Sequence, residues 1–141
     1  MMSSSAEDAA PPADPSRPRA IVAGHGSFPQ GIVSAVGQIT GYRDLFIALS
    51  NEGLSGEDIE ARLRTYATEG GIDVFFTDLP AGSATMAVRR IMRDRPDVVL
   101  VTGANLATLL EFVFHADEPA TEAARLAVEK GRASIATHGK T

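Results

Sequence analysis

A doubly wound α/β domain, with a mainly parallel sheet and helices on both faces, is the fold class this sequence predicts. Three observations carry the prediction. The chain has 141 residues, 44% hydrophobic and 22% charged, which suits one soluble globular domain. Four short apolar runs recur along it, each too brief for a helix and rich in β-branched or aromatic residues. Between them lie segments whose apolar residues repeat at helical spacing. Strands and helices alternating at these lengths form right-handed crossovers around a parallel sheet.

Taken in order, the first strand is predicted at Ala20 to Ala23, followed by a helix with Ile32, Val36 and Ile39 on one face. The second strand covers Leu45 to Leu49. Ser55 and Asp58 have the spacing of a capping box before a helix carrying Ile59, Leu63 and Tyr66. Gly70 and Gly71 punctuate the approach to a third strand, Val74 to Thr77, and the next helix places Ala84, Ala87, Val88 and Ile91 together. After the fourth strand, Val98 to Thr102, "GANLATLLEFVF" sets Leu106, Leu109, Leu110 and Val113 on one helical face. "EPATEAARLAVEKG" predicts a last helix starting beside Pro119 and ending at Gly131. The expected sheet has four to five strands, in the flavodoxin-like order 2-1-3-4.

The domain is expected over residues 19–136, with a short C-terminal tail at 137–141. Residues 1–18 hold four of the chain's 8 prolines and three acids and lack the basic and apolar regions of a signal peptide, so they read as a flexible tail. No apolar stretch approaches the ~18 residues of a membrane-spanning helix. A net charge of -5 and a pI near 5.1 argue against nucleic acid as a partner. The lack of cysteine excludes disulfides and thiolate nucleophiles and fits a cytoplasmic protein.

In an open α/β sheet, ligands bind beyond the carboxyl ends of the strands where strand order reverses. "IVAGHGSFPQG" puts His25 between two glycines at the end of the first strand. The order 2-1-3-4 makes the third strand its neighbour, and that strand exits at Asp78. A carboxylate there can accept a hydrogen bond from one imidazole nitrogen, fix the tautomer, and leave the other nitrogen as a nucleophile. Ser83 begins the following helix, whose N-terminus favours anions such as a phosphoryl group. Ser83, and with less support Ser27 or Thr77, would supply hydroxyl contacts. Each also has a plainer reading: His25 and Asp78 as turn residues, Ser83 and Ser27 as helix caps. His115 and His138 read as surface or loop residues, and Arg89, Arg90 and Arg93 as a solvated basic side of their helix.

Missing motifs narrow the chemistry. "GHGSFPQG" is not G-x-G-x-x-G, and the terminal "HGKT" precedes no helix, so direct nucleotide binding is unsupported. No G-x-S-x-G elbow surrounds Ser83. Three separated histidines and no cysteine give no recognisable metal site.

Three segments together, "GHGSFPQGIVSAVGQITG", "TDLPAGSATMAVRRI" and "VTGANLATLLEF", resemble the mannose-type enzyme IIA component of the sugar phosphotransferase system. That group serves mannose, fructose, sorbose and N-acetylgalactosamine systems. The resemblance spans residues 19 to 135. It implies that His25 takes a phosphoryl group from the histidine-phosphocarrier protein HPr and passes it to an enzyme IIB partner. Asp78 would orient the imidazole, Ser83 would lie near the phosphoryl group, and no nucleotide or metal cofactor would be needed. The turn Leu79-Pro80-Ala81-Gly82-Ser83 departs from the many relatives that carry an aromatic and a double glycine there. The family also implies a homodimer with an exchanged last antiparallel strand, for which only "ASIAT" is available in this chain. The resemblance also implies association with a membrane sugar permease complex, without insertion of this chain.

Such a carrier has a protein substrate, so an open docking surface is expected, lined by Phe28, Leu79, Pro80 and Met86. Two other readings stand beside it. One is a regulatory phosphohistidine module of the same fold that signals without sugar transport. The other is a small ligand-binding or hydrolytic α/β domain, which would need a pocket and a second catalytic group.

Overall fold

A computed structural model describes residues 17–140. The predicted N-terminal tail lies outside these residues up to position 16. Four parallel strands form one sheet in the order β2-β1-β3-β4: β1 at Ala20–Gly24, β2 at Phe46–Ser50, β3 at Val74–Thr77 and β4 at Val99–Val101. The helices are α1 at Phe28–Thr40, α2 at Gly56–Glu69, α3 at Ser83–Asp94, α4 at Leu106–Phe114 and α5 at Ala120–Ala133. A 3-10 turn at Arg43–Leu45 leads into β2. The predicted class and strand order are thus observed.

Every residue of β1 and β3 is buried, as central parallel strands covered on both faces require. Because side chains alternate along a strand, each strand feeds two cores. Ala20, Val22, Phe46, Val74, Phe76 and Val101 pack with α1, α4 and α5. Ile21, Ala23, Leu49 and Phe75 pack with α2 and α3 on the opposite face. In the first core, the rings of Phe46, Phe76 and Phe112 meet with centroids 5.1 to 6.3 Å apart, in tilted and edge-on arrangements that aromatic quadrupoles favour. Arg19 closes the rim beneath them: its guanidinium lies over Phe112, donates to the Ala116 and Glu118 carbonyls, and meets Asp73.

Helix ends follow local chemistry. Ser55 and Asp58 form the expected capping box on α2, and Asn105 with Thr108 forms a second one on α4. Ile39 departs from expectation. It is 60% exposed, because the buried stripe of α1 runs through Pro29, Val33 and Val36 and next reaches Thr40. Of "ASIAT", Ala133 ends α5 and Ser134 caps it, while Ile135, Ala136 and Thr137 follow in irregular backbone. Among the described residues the sheet therefore has four strands.

Two charged clusters correct the reading of the surface. Arg90 is not a simple solvated side chain, since it meets Glu60 of α2, which also holds Arg64, itself paired with Asp94 of α3. Arg89 and Arg93 are exposed. His115 is likewise more than a loop residue. It terminates α4 with one ring nitrogen 2.8 Å from Glu118 and the other 3.0 Å from Glu111, whereas His138 is exposed.

The hydrogen bond to Glu118 raises the His115 pKa most; partial burial opposes it, and Glu111 adds to the rise. A raised folded-state value makes this contribution to stability fully present below the ordinary histidine pKa of about 6.5 and lost as pH climbs through the raised one. His115→Gln is accordingly expected to destabilise the protein at pH 6, by less than about 1 kcal/mol given partial solvation. The gap should close by pH 9, and urea midpoints at both values measure it.

Candidate functional site

His25 stands at the crest of the sheet because β1 ends one residue earlier, at Gly24, and α1 begins three residues later, at Phe28. The intervening turn is held by the Phe28 N–H donating to the His25 carbonyl at 3.0 Å, with Gly26 in the left-handed region at φ 54°. β1 and β3 are neighbours, and Ala23 is paired with Thr77. Asp78 therefore lies level with Gly24, one residue behind His25. That stagger brings its carboxylate under the His25 backbone.

A single oxygen of Asp78, Oδ2, serves both groups. It accepts the His25 backbone N–H at 2.8 Å and lies 2.9 Å from the imidazole Nδ1. As an ionised carboxylate only accepts, Nδ1 carries the proton, and in the neutral tautomer Nε2 keeps its lone pair. Burial pushes the Asp78 pKa up, but hydrogen bonds from the His25 N–H and ring, with their charge interaction, outweigh it and hold the carboxyl below its ordinary value. The side chains are 13% exposed for Asp78 and 54% for His25. The carboxylate is sheltered while the imidazole is half-exposed.

Two glycines make this fit. A β-carbon on Gly24 would lie 2.5 Å from the Asp78 carboxylate, and one on Gly82, at φ 112°, would meet His25 Cε1 at 3.3 Å. Side chains at either position would displace the pair.

Ser83 is the first residue of α3, with Gly82 in the N-cap position, so Ser83 does not cap the helix. Its hydroxyl oxygen accepts from Asn51 Nδ2 at 3.1 Å. Asn51 follows β2 and had no part in the site predicted from sequence. Its backbone N–H donates to the Gly24 carbonyl at 2.8 Å, carrying the β1–β2 pairing one step past Ser50. Thr77 is ruled out as a surface hydroxyl. It is fully buried, 2.7 Å from the hydroxyl of Thr85, which also lies 2.6 Å from the Leu79 carbonyl and so pins the 78–83 turn to the first turns of α3. Ser27 is exposed and makes no capping bond with its side chain.

Of the expected docking residues, Leu79 and Met86 are 51% and 45% exposed, and Pro80 is exposed as well. Phe28 instead leans on the core below α1. No group of three or more His, Asp or Glu is placed to hold a metal ion among the described residues. Nor, among them, is any helix long and apolar enough to cross a membrane. The arrangement offers an oriented imidazole flanked by the N-termini of α1 and α3. Their partial positive charge suits an anion.

Known proteins share this fold. A family profile described as the PTS system fructose IIA component matches residues 19–129. The fold is similar to that of a phosphotransferase system component EIIA from Streptococcus agalactiae, with a TM-score of 0.76 and 22% identity over 84% of this chain and 95% of that one. A mannose/sorbose-specific IIA subunit from Enterococcus faecalis gives 0.75 and 21%, covering 89% and 97% of the two chains. A PTS IIA protein associated with the fucose utilization operon of Streptococcus pneumoniae gives 0.73 and 21%, covering 86% and 93%. No curated protein matches the sequence.

Proposed function

Since the chain belongs to the mannose/fructose-type enzyme IIA family of the sugar phosphotransferase system, we propose that it is a phosphoryl carrier acting through His25. It accepts the phosphoryl group from phospho-HPr and delivers it to an enzyme IIB. The observation that supports this most is the 2.9 Å pairing of Asp78 with Nδ1 of a half-exposed imidazole. IIA components work with HPr and IIB partners in general; the assignment of that exchange to His25 is the proposal.

The transfer needs positioning and charge stabilisation more than covalent assistance. The Nε2 lone pair forms the new N–P bond as the donor's N–P bond breaks, and the electron pair of the broken bond returns to the donor nitrogen. The Nδ1 proton stays between the ring and Asp78, which offsets positive charge on the phosphorylated imidazole. N–H groups at the start of α3 and the Ser83 hydroxyl face the incoming oxygens. Leu79, Pro80 and Met86 border the crest as an apolar rim for protein partners. The exchange is placed in the cytoplasm, with homodimerisation and a sugar permease reached through IIB as parts of the same proposal.

Incubation with phosphoenolpyruvate, enzyme I and HPr, followed by addition of IIB, tests the reading. An acid-labile phosphoryl group should appear on the chain and then move to IIB. A stable phospho-form that no IIB discharges would favour the regulatory alternative, and no phosphorylation in a mixture that charges a control IIA would overturn both.

A further inference from the structure

The polar contact left without a task in this mechanism is the one between Asn51 and Ser83. These residues are 32 positions apart in sequence and sit on opposite sides of the β1 end. Asn51 is held at its backbone by the Gly24 carbonyl, the residue that precedes His25. Its amide then reaches the first residue of α3. Gly82, adjacent to Ser83, is where an added β-carbon would lie 3.3 Å from His25 Cε1 and 3.9 Å from Nε2. Ser83 thus begins its helix beside the reactive edge of the ring.

Hydroxyl chemistry gives the contact a direction. An amide N–H can only donate, so Ser83 Oγ is the acceptor from Asn51 Nδ2, and its own proton must point elsewhere. Among the described residues the Ser83 hydroxyl has no other hydrogen-bond partner. A freely rotating hydroxyl offers a neighbouring phosphoryl group either a proton or a lone pair, and only the first is attractive. We propose that Asn51 is a positioning residue that turns the Ser83 O–H into a fixed donor toward the phosphoryl group on His25 Nε2. The proposal rests on His25 being the phosphoryl carrier. It assigns Asn51 a part in the transfer, although Asn51 does not itself touch the reacting atoms.

During transfer the donor N–P bond breaks and the Nε2–P bond forms, with no proton leaving Ser83. The hydroxyl donates a hydrogen bond to a phosphoryl oxygen and is unchanged at the end. Removal of a fixed donor of this kind slows the step without weakening the protein–protein encounter.

The test compares Asn51→Ala, Ser83→Ala and the double variant as full chains. It follows the rate of phosphoryl uptake from phospho-HPr over a range of HPr concentrations, with urea midpoints as the folding control. Should Asn51→Ala fold poorly, Asn51→Leu keeps the side-chain bulk while removing the donor. Either Asn51 variant is expected to lower the maximal rate about tenfold with the HPr concentration dependence unchanged, and the double variant should be no slower than Ser83→Ala alone. A purely structural tie would instead lower the urea midpoints of the Asn51 variants along with their rates, whereas a positioning role lowers the rate and leaves the midpoints in place. Wild-type rates in the Asn51 variants, or rate losses that multiply in the double variant, would overturn the proposal while leaving the carrier reading intact. Failure of the wild-type chain itself to take up phosphoryl groups would overturn both.

Discussion

His25→Gln is expected to reduce phosphoryl uptake from phospho-HPr to background, a loss of at least about 10³-fold, as removal of a covalent nucleophile does elsewhere. Glutamine retains polarity and much of the side-chain volume but has no nitrogen lone pair able to form a stable N–P bond. The fold should hardly notice. The His25 side chain is 54% exposed in a turn, and its fixed backbone contact to Asp78 is made by the main-chain N–H, which glutamine also possesses. A change in unfolding free energy within about 0.5 kcal/mol is expected. Radiolabel transfer or intact-mass measurement, read beside a urea titration, separates loss of chemistry from loss of structure. Uptake at the wild-type level would remove His25 from the mechanism.

Substitution of Asp78 should give the next largest effect, with two variants distinguishing its roles. Asp78→Asn keeps an acceptor of similar shape but discards the negative charge that balances the phosphorylated ring, and about a 10²-fold slower transfer is expected. Asp78→Ala removes the acceptor as well, freeing the tautomer and stranding the His25 backbone N–H, so its loss should be larger. It should also cost about 0.5–1.5 kcal/mol of stability, the ordinary net worth of the lost hydrogen bond.

The direction of the Asp78 pKa sets a pH signature. A carboxyl held below its ordinary value contributes stability that is fully present above about pH 4 and disappears as pH falls through the lower folded-state value. The stability gap between wild type and Asp78→Asn should therefore shrink as pH falls from 6 toward 3. Urea midpoints across that range measure it. A gap that widens in acid would contradict the assigned charge state.

The fold was readable from sequence because central parallel strands are apolar on both faces. Val74–Thr77 and Ala20–Gly24 have no polar alternation to confuse with an exposed strand, and all their residues are buried. The pairing of His25 with Asp78 was readable for a related reason: a strand order of 2-1-3-4 makes the ends of β1 and β3 adjacent whatever the loops contain. The one-residue stagger that lets Asp78 Oδ2 reach both the backbone N–H and Nδ1 was not, since it depends on register.

Asn51 was hidden for a different reason. In "SNEG" it looks like a turn residue, and only the three-dimensional approach of the β2 end to α3 gives it a partner. Thr77 misled in the opposite way, because a hydroxyl at a strand end can turn inward and be spent on another hydroxyl, here that of Thr85. The His115 clamp did leave a signal. Glutamates four residues before and three after a helix-terminal histidine have the spacing of side chains that meet across one turn.

In the proposed carrier the phosphoryl group resides on Nε2 of His25 while Nδ1 remains protonated against Asp78. Nitrogen–phosphorus correlation NMR on the ¹⁵N-labelled protein, charged by phospho-HPr, measures this directly. One phosphohistidine is expected, with the phosphorus coupled to Nε2 of His25 and a proton retained on Nδ1. Coupling to Nδ1, or a phosphoryl group on His115 or His138 in place of His25, would contradict it.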